Sequence, residues 1–356
     1  MESNGPEAVL PYFAIERRDY KIQTINQGYI NDTYLLLQDD DPCYILQRLN
    51  ARVLSNIDIM MQNIHYVLPF LNDDNYHQIS LINTVEGKPY LKLSESECWR
   101  IITMVPNSIA FNTIRNETIA AEAGRIIGKF HSLLEDASID KIKDSIPGFH
   151  DLSLRIRQFE EALESATPDR LKNASKAILI AQKTLNELRL YDPGNLPVRI
   201  CHNDTKLNNI LFDKTDKRAL CLIDLDTIMK GYFHYDFGDA VRTIVNTVEE
   251  DEKDLNKITF NKRLFEAFID GLCVNSKFWT EAEIQYLPLG VKIMPFMHGI
   301  RALTDYLHGN IYYKVTYENQ NLDRSLSLFT FTRKASEHME YMQEIIAKKF
   351  KRTGFI

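Results

Sequence analysis

Along the first hundred residues the apolar positions fall into short runs, 20–25, 33–37, 44–49, 79–82, 90–93 and 99–105, separated by polar and turn-forming residues. Runs of this length, rich in β-branched and aromatic side chains, predict strands. One segment departs from the pattern. Ile57, Met60, Met61, Ile64, Val67, Leu68 and Leu71 recur at intervals of three and four, which predicts a helix over 55–71. Glu86-Gly87 lies between two strand patterns, and because glycine takes positive φ without steric cost, residues 84–88 predict a tight hairpin.

Beyond about residue 105 the period changes from two to 3.6. Helices are predicted over 119–134 and across 152–190, with an interruption near Pro168. The polar segment 191–195 contains Pro193-Gly194 and ends the helical run. Three short apolar strands follow, at 198–201, 210–212 and 219–223, and helices resume at 239–248, 261–273, 281–307 and 322–349. The pattern therefore predicts an α+β chain of two lobes: a small β-rich N-terminal lobe, 1–105, and a larger, mainly helical C-terminal lobe, 106–356.

At 356 residues with 44% hydrophobic and 26% charged positions, the chain has the length and apolar content to bury a core in each lobe. Its net charge of -7 provides no overall positive field for nucleic acid or an anionic membrane. The five cysteines are odd in number and scattered, without metal spacing, which predicts a reducing, cytoplasmic setting. No eighteen apolar residues run together, and residues 1–20 lack a basic start followed by an apolar stretch. Neither membrane spanning nor export is predicted.

The densest chemistry lies in 202–212, HNDTKLNNILF, followed by 222–227, LIDLDT. An H-x-D-x-x-x-x-N loop places Asp204 and Asn209 together, and Asp224 leaves the next strand. Taken singly, Asp and Asn are turn formers and His202 is a core residue. Together they fit phosphoryl transfer, which needs an oriented acceptor hydroxyl and a metal-held triphosphate. In that reading Asp204 accepts the hydroxyl proton, while Asn209 and Asp224 hold Mg²⁺ as hard oxygen ligands. Lys206 is placed to reach the γ-phosphate. On an extended segment Asp226 would face the same side as Asp224, which makes it a candidate for metal or substrate contact. Asp236, just ahead of a predicted helix, is expected to cap it or to brace the loop. The polar turn 26–33, with Gly28 and Asn31, lies between two strands, where it would cover nucleotide phosphates or serve as an ordinary hairpin.

These segments, together with YILQ at 44–47, FGD at 237–239, DEKDL at 251–255 and DYL at 305–307, resemble the aminoglycoside phosphotransferase and choline kinase superfamily, and within it the kinases of N-acetylhexosamines. The resemblance runs nearly end to end. It implies a bilobal protein-kinase-like fold with ATP between a nucleotide-binding lobe, 1–105, and a catalytic and substrate-binding lobe, 106–356. The reaction implied is Mg²⁺-dependent transfer of the γ-phosphate to the anomeric hydroxyl of N-acetylglucosamine or N-acetylgalactosamine. Carried onto matching positions, it makes Asp204 the base, Asn209 and Asp224 the metal ligands, and Arg301 and Tyr312 sugar contacts. Asn31 then belongs to the loop that closes over the substrate, and Gly28, Gln47, Met104 and Lys206 surround the nucleotide.

The sequence departs from most protein kinases at two linked places. Gln47 stands where they carry a phosphate-binding Lys, and the helix 57–71 has no Glu to pair with one. No D-F-G follows Asp224 and no A-P-E closes an activation segment, which argues against a protein acceptor. Other small alcohols, such as homoserine, choline or methylthioribose, compete as acceptors because the catalytic loop does not select among them. A pseudokinase that only binds is a further alternative. It is opposed by the three intact polar positions. The partners implied are a small-molecule sugar and ATP, with no nucleic acid and no membrane.

Overall fold

The computed structural model of the chain describes residues 5–16, 19–25, 30–51, 54, 56–189 and 191–352. A short helix, α1 (Pro6–Val9), precedes a six-stranded antiparallel sheet formed by β1 (Lys21–Ile25), β2 (Asp32–Gln38), β3 (Asp41–Leu49), β4 (Leu81–Ile82), β5 (Leu91–Ser94) and β6 (Glu97–Thr103). Helix α2 (Ile57–Val67) interrupts the sheet where the periodicity predicts it. Its N-terminus is capped by Asn56, whose side chain accepts the Ile59 N–H. Its face of Ile57, Met60, Met61, Ile64 and Val67 is buried.

Side chains alternate across a strand, so each strand of the sheet serves two environments. Leu36, Leu46, Trp99 and Ile101 pack together with Val9 and Phe13 in a separate apolar cluster. Thr33, Gln47 and Arg100 are paired in register across β2, β3 and β6. From there Arg100 reaches Met61 of α2.

The turn expected at 84–88 is present, with Gly87 at φ 78° and the Thr84 N–H donating to the Lys88 carbonyl at 2.7 Å. It does not join a hairpin. β4 and β5 lie end to end along the edge of β6 opposite β3, pairing with its residues 101–102 and 97–99 respectively. β6 is long enough to bind both, which leaves β4 and β5 no shared edge.

The link out of this sheet is 104–107, ending at Asn107 with φ 52°, after which β7 (Ser108–Ile109) joins the sheet β10-β9-β7 of the second half, with β9 (Ile210–Asp213) and β10 (Ala219–Leu222). A second two-stranded pair is made by β8 (Arg199–Cys201) and β11 (Met229–Gly231). The helices are α3 (Glu117–Leu133), α4 (Leu152–Ser165), α5 (Pro168–Asn173), α6 (Ser175–Leu188), α7 (Phe233–Ile244), α8 (Lys262–Cys273), α9 (Glu281–Leu307), α10 (Gln320–Glu337) and α11 (Met339–Arg352). The α+β organisation is as the sequence predicts. α7 begins earlier than expected, because its first turn is itself buried and carries Asp236 inside the helix rather than ahead of it. The stretch expected as one helix over 322–349 breaks at His338.

Glycines set the closest helix crossings. A Cβ at Gly271 of α8 would lie 1.7 Å from the Ala121 carbonyl of α3, and one at Gly238 of α7 would lie 2.1 Å from the Gly290 carbonyl of α9. α7 is thereby held against α9, and the loop between β8 and β9 rests on the first turn of α7. Among the described residues no helix is long and apolar enough to cross a membrane, and all five cysteines are free.

Candidate active site

The loop between β8 and β9 is held from below by Asp236. This carboxylate is fully buried, and it accepts the backbone N–H groups of His202 at 2.8 Å and Asn203 at 2.7 Å and meets His131 Nε2 at 2.9 Å. Asp236 therefore braces the loop and does not cap its own helix. Asn203 takes the left-handed conformation, φ 62°, which Asn tolerates better than most residues. Its amide donates to the carbonyls of Cys201 and Thr227. His202 Nε2 lies 2.9 Å from the Ile223 carbonyl, which can only accept, so that nitrogen carries the proton. Nδ1 is then free to accept the Asp204 N–H at 3.3 Å. A core histidine thus ties the Asp204 loop to the end of β10.

The β9–β10 hairpin brings Asn209 and Asp224 together. Leu222 pairs with Ile210, and the Ile223 N–H donates to the Asn209 carbonyl at 2.8 Å, so the residues just outside the two strands are neighbours. Asp224 adopts φ 61°, ψ 56°, a conformation costly for a residue with a Cβ and one that gathers at functional sites. Asp224 is exposed as a residue, yet protein packs around its carboxyl. Burial of its surroundings, then the Asp226 carboxylate, push its pKa up to about 6.

Asp204 receives the Asn209 amide twice, at its carbonyl, 2.8 Å, and at its carboxylate, 3.0 Å. Lys206 Nζ stands 2.6 Å from the same carboxylate oxygen. Burial works against the charge of Asp204, but Lys206 outweighs it and the pKa is lowered. For Lys206 burial is likewise opposed by Asp204 and then Asp224, and the net direction is up. Both groups are charged at neutral pH.

The expectation of an extended Asp224–Asp226 segment is not met. The left-handed Asp224 leads into a single 3₁₀ turn, Leu225–Thr227, so the two residues do not lie on one face of an extended segment. Asp226 is buried and points into the first lobe, 2.5 Å from Arg100 Nη1, and it accepts the Asn31 amide at 2.8 Å. Asn31 also accepts the Asn50 N–H at 3.0 Å, so it braces the lobe junction. Gln47 accepts Arg100 Nε at 2.9 Å and donates to Thr33 Oγ1 at 3.2 Å. Met104 lies in the link between the lobes, its N–H on the Cys43 carbonyl. Gly28 falls outside the described residues.

Arg301 and Tyr312 do meet. Arg301 stands near enough to the Tyr312 hydroxyl to oppose the rise that burial gives its pKa, and it lies over the Phe149 ring at 4.9 Å. Asp305 fixes this loop by accepting the N–H groups of Ile311, Tyr312 and Tyr313 at 2.9, 2.8 and 3.0 Å. His150 links the corner to the Asp204 loop through Nε2, 3.1 Å from the Asn203 carbonyl, while its Nδ1 is buried with no partner among the described residues. Burial, then repulsion from His298 were it protonated and from the Arg301 guanidinium, hold His150 down at about 3. Burial and then Arg301 also lower Arg155, to about 10. Arg100, His150 and Asp305 are the residues that sequence reasoning leaves out. Only Asp305 carried a signal, in the DYL segment.

Two lobes joined at 104–107, with an Asp–Asn loop braced by a buried Asp and facing the end of a strand hairpin, define a kinase-like phosphotransferase fold. The chain belongs to the phosphotransferase enzyme family, whose pattern matches residues 21–269. Solved structures of similar fold include a microcompartment-associated aminopropanol kinase, 17% identical over 95% of this chain and 97% of that one, with a TM-score of 0.63. An aminoglycoside phosphotransferase from Alicyclobacillus acidocaldarius is 13% identical over 98% of each chain, TM-score 0.60. An amicoumacin kinase in complex with AMP-PNP and Ca²⁺ is 12% identical over 93% of this chain and 91% of that one, TM-score 0.58.

Proposed function

We propose that the protein transfers the γ-phosphate of ATP to the anomeric hydroxyl of an N-acetylhexosamine, giving the sugar 1-phosphate and ADP. The observation that carries the phosphotransfer reading is the juxtaposition of Asp204, Asn209 and Asp224. Asn209 orients the Asp204 carboxylate through its amide nitrogen, which leaves its amide oxygen for another partner. Asp224, an exposed residue, follows Ile223, whose N–H donates to the Asn209 carbonyl.

Among the described residues no group of three or more His, Cys, Asp or Glu side chains is gathered to hold a metal ion. One carboxylate and one amide oxygen nevertheless suit Mg²⁺, which commonly takes one or two protein oxygens and completes its shell with phosphates and water. Asn209 and Asp224 would hold it. When bound, Mg²⁺ neutralises charge on the triphosphate. Asp204 accepts the proton of the acceptor hydroxyl and aims its oxygen at the γ-phosphorus. Lys206 has three N–H donors, so contact with Asp204 leaves two for the γ-phosphate. The nucleotide would lie between the lobes, beside Gln47 and the Met104 link.

The acceptor corner favours a neutral molecule over an ammonium. Arg301 is among the causes that lower His150, Arg155 and His298, the last to about 4 after burial and Arg242, so added positive charge is disfavoured here. Amino alcohols such as choline would add it. A neutral acetamido sugar would instead meet donors on Arg301 and an apolar face on the exposed Tyr312. The test is ADP release with MgATP and each of N-acetylglucosamine, N-acetylgalactosamine, homoserine, choline and aminopropanol. Turnover with the acetamido sugars alone is expected. A preference for the cationic alcohols would contradict the reading.

A further inference from the structure

We infer that Arg100 is a positioning residue for the metal-bearing segment, filling the structural place left by the absent third-strand Lys and helix Glu. The inference rests on the phosphotransfer reading above. Arg100 is 4% exposed and Asp226 5%, so their 2.5 Å pair is a buried bridge between the β6 strand of the first lobe and the segment that follows β10. A buried guanidinium needs all the partners it can find. Gln47 is its in-register neighbour on β3 and accepts Nε at 2.9 Å. Gln47 in turn donates to Thr33, its own neighbour on β2. A row of three polar side chains thus crosses the sheet and ends on Asp226.

Among the described residues, the partners of the Asp226 carboxylate come from the first lobe. One oxygen meets Arg100 and the other accepts the Asn31 amide at 2.8 Å. Helix α2 adds a third grip on the same segment, because Asn63 donates to the Ile228 carbonyl at 2.9 Å. Asp224 lies two residues before Asp226, across the 3₁₀ turn, in a left-handed conformation that must be imposed from outside. The Arg100–Asp226 bridge supplies that constraint. A Lys at position 47 would place a cation against the nucleotide, whereas the cation here is enclosed, spent on Gln47 and Asp226, and acts on the metal ligand's backbone. The lobe junction and the metal site are one unit.

Outer partners of metal ligands, when removed, typically lower metal affinity by about 10- to 100-fold. The test measures Mn²⁺ binding to the full chain with AMP-PNP by electron paramagnetic resonance, alongside the KM values for MgATP and acceptor. Arg100→Met should weaken Mn²⁺ by that factor and raise the Mg²⁺ needed for turnover, with the acceptor KM unchanged. Arg100→Met alone strands the Asp226 charge and is expected to lower the unfolding midpoint. The double variant Arg100→Met/Asp226→Leu removes both charges and should regain the midpoint without regaining Mn²⁺ affinity. A bridge that is merely structural would leave the double variant binding Mn²⁺ like the wild type, and that result would overturn the inference. Wild-type protein that binds no Mn²⁺ with AMP-PNP would contradict the phosphotransfer reading as well. Wild-type binding matched by both variants would contradict this inference alone.

Discussion

Asp236 accepts the Asn203 N–H at 2.7 Å, with the His202 N–H on its other oxygen, so one buried carboxylate sets the backbone from which Asp204 projects. Replacing it with Ala would strip an acceptor from two buried donors, at roughly 1–3 kcal/mol each. Urea unfolding of Asp236→Ala should show a loss of about 2–6 kcal/mol, and kcat should fall although the residue touches no substrate. Asp236→Asn keeps one acceptor oxygen and should lose less on both counts.

Asp204→Asn preserves shape while removing proton acceptance. General-base catalysis typically contributes about 10²–10⁴-fold, so kcat should drop by that range with little change in the KM for MgATP. A loose transition state would place the loss at the lower end, with Asp204→Ala slower still because Ala cannot orient the hydroxyl. Steady-state kinetics on the same acceptor checks both. Wild-type kcat in Asp204→Asn would remove the residue from the mechanism.

In the proposed function Arg301 and Tyr312 would contact the acceptor and not the nucleotide. Loss of a charged donor's hydrogen bonds costs about 1.5–3 kcal/mol, so Arg301→Ala should raise the sugar KM roughly tenfold to a hundredfold. The KM for MgATP should not move. Parallel titrations of the two substrates make the comparison, and equal effects on both would deny Arg301 this role.

Buried histidines predict the acid side of the stability curve. Burial, opposed for His234 only by Glu283, lowers it to about 4, and burial followed by Arg242 lowers His298 to about 4. Both lie below the unfolded value near 6.5, so the unfolded chain takes up protons first as pH falls. Stability is therefore full above about pH 6.5 and declines toward pH 4, by up to about 1.4 kcal/mol per pH unit for each histidine. The carboxyls of Asp239 and Glu250 are held below the usual range, because Arg242 outweighs their burial, so they act only at lower pH. Thermal midpoints from pH 8 to 4 should follow this course, and His234→Gln, which can keep the bond to Tyr191, should flatten it.

How much of this was legible beforehand depended on sequence distance. Asp204 and Asn209 share one loop, and Asn209 and Asp224 flank two short paired strands, so local spacing was enough to bring the three together. Periodicity likewise gave α2 and the change of pattern near residue 105. It did not say which strands pair, and so misread β4 and β5, which share an edge of β6 but not each other. The alternation argument for Asp226 failed because one left-handed residue, Asp224, resets the direction of every side chain after it. Arg100 was illegible for a different reason. In sequence it is one cation within a strand, and only the fold places it against Asp226 and Gln47.

The central claim is tested most directly by locating the transferred phosphate. Protein, MgATP and N-acetylglucosamine or N-acetylgalactosamine are incubated and the product is examined by ³¹P and ¹H NMR. The account predicts a phosphate coupled to the anomeric proton, formed in step with ADP and lost in Asp204→Asn. Phosphate at C6, or transfer only to an amino alcohol, would contradict it.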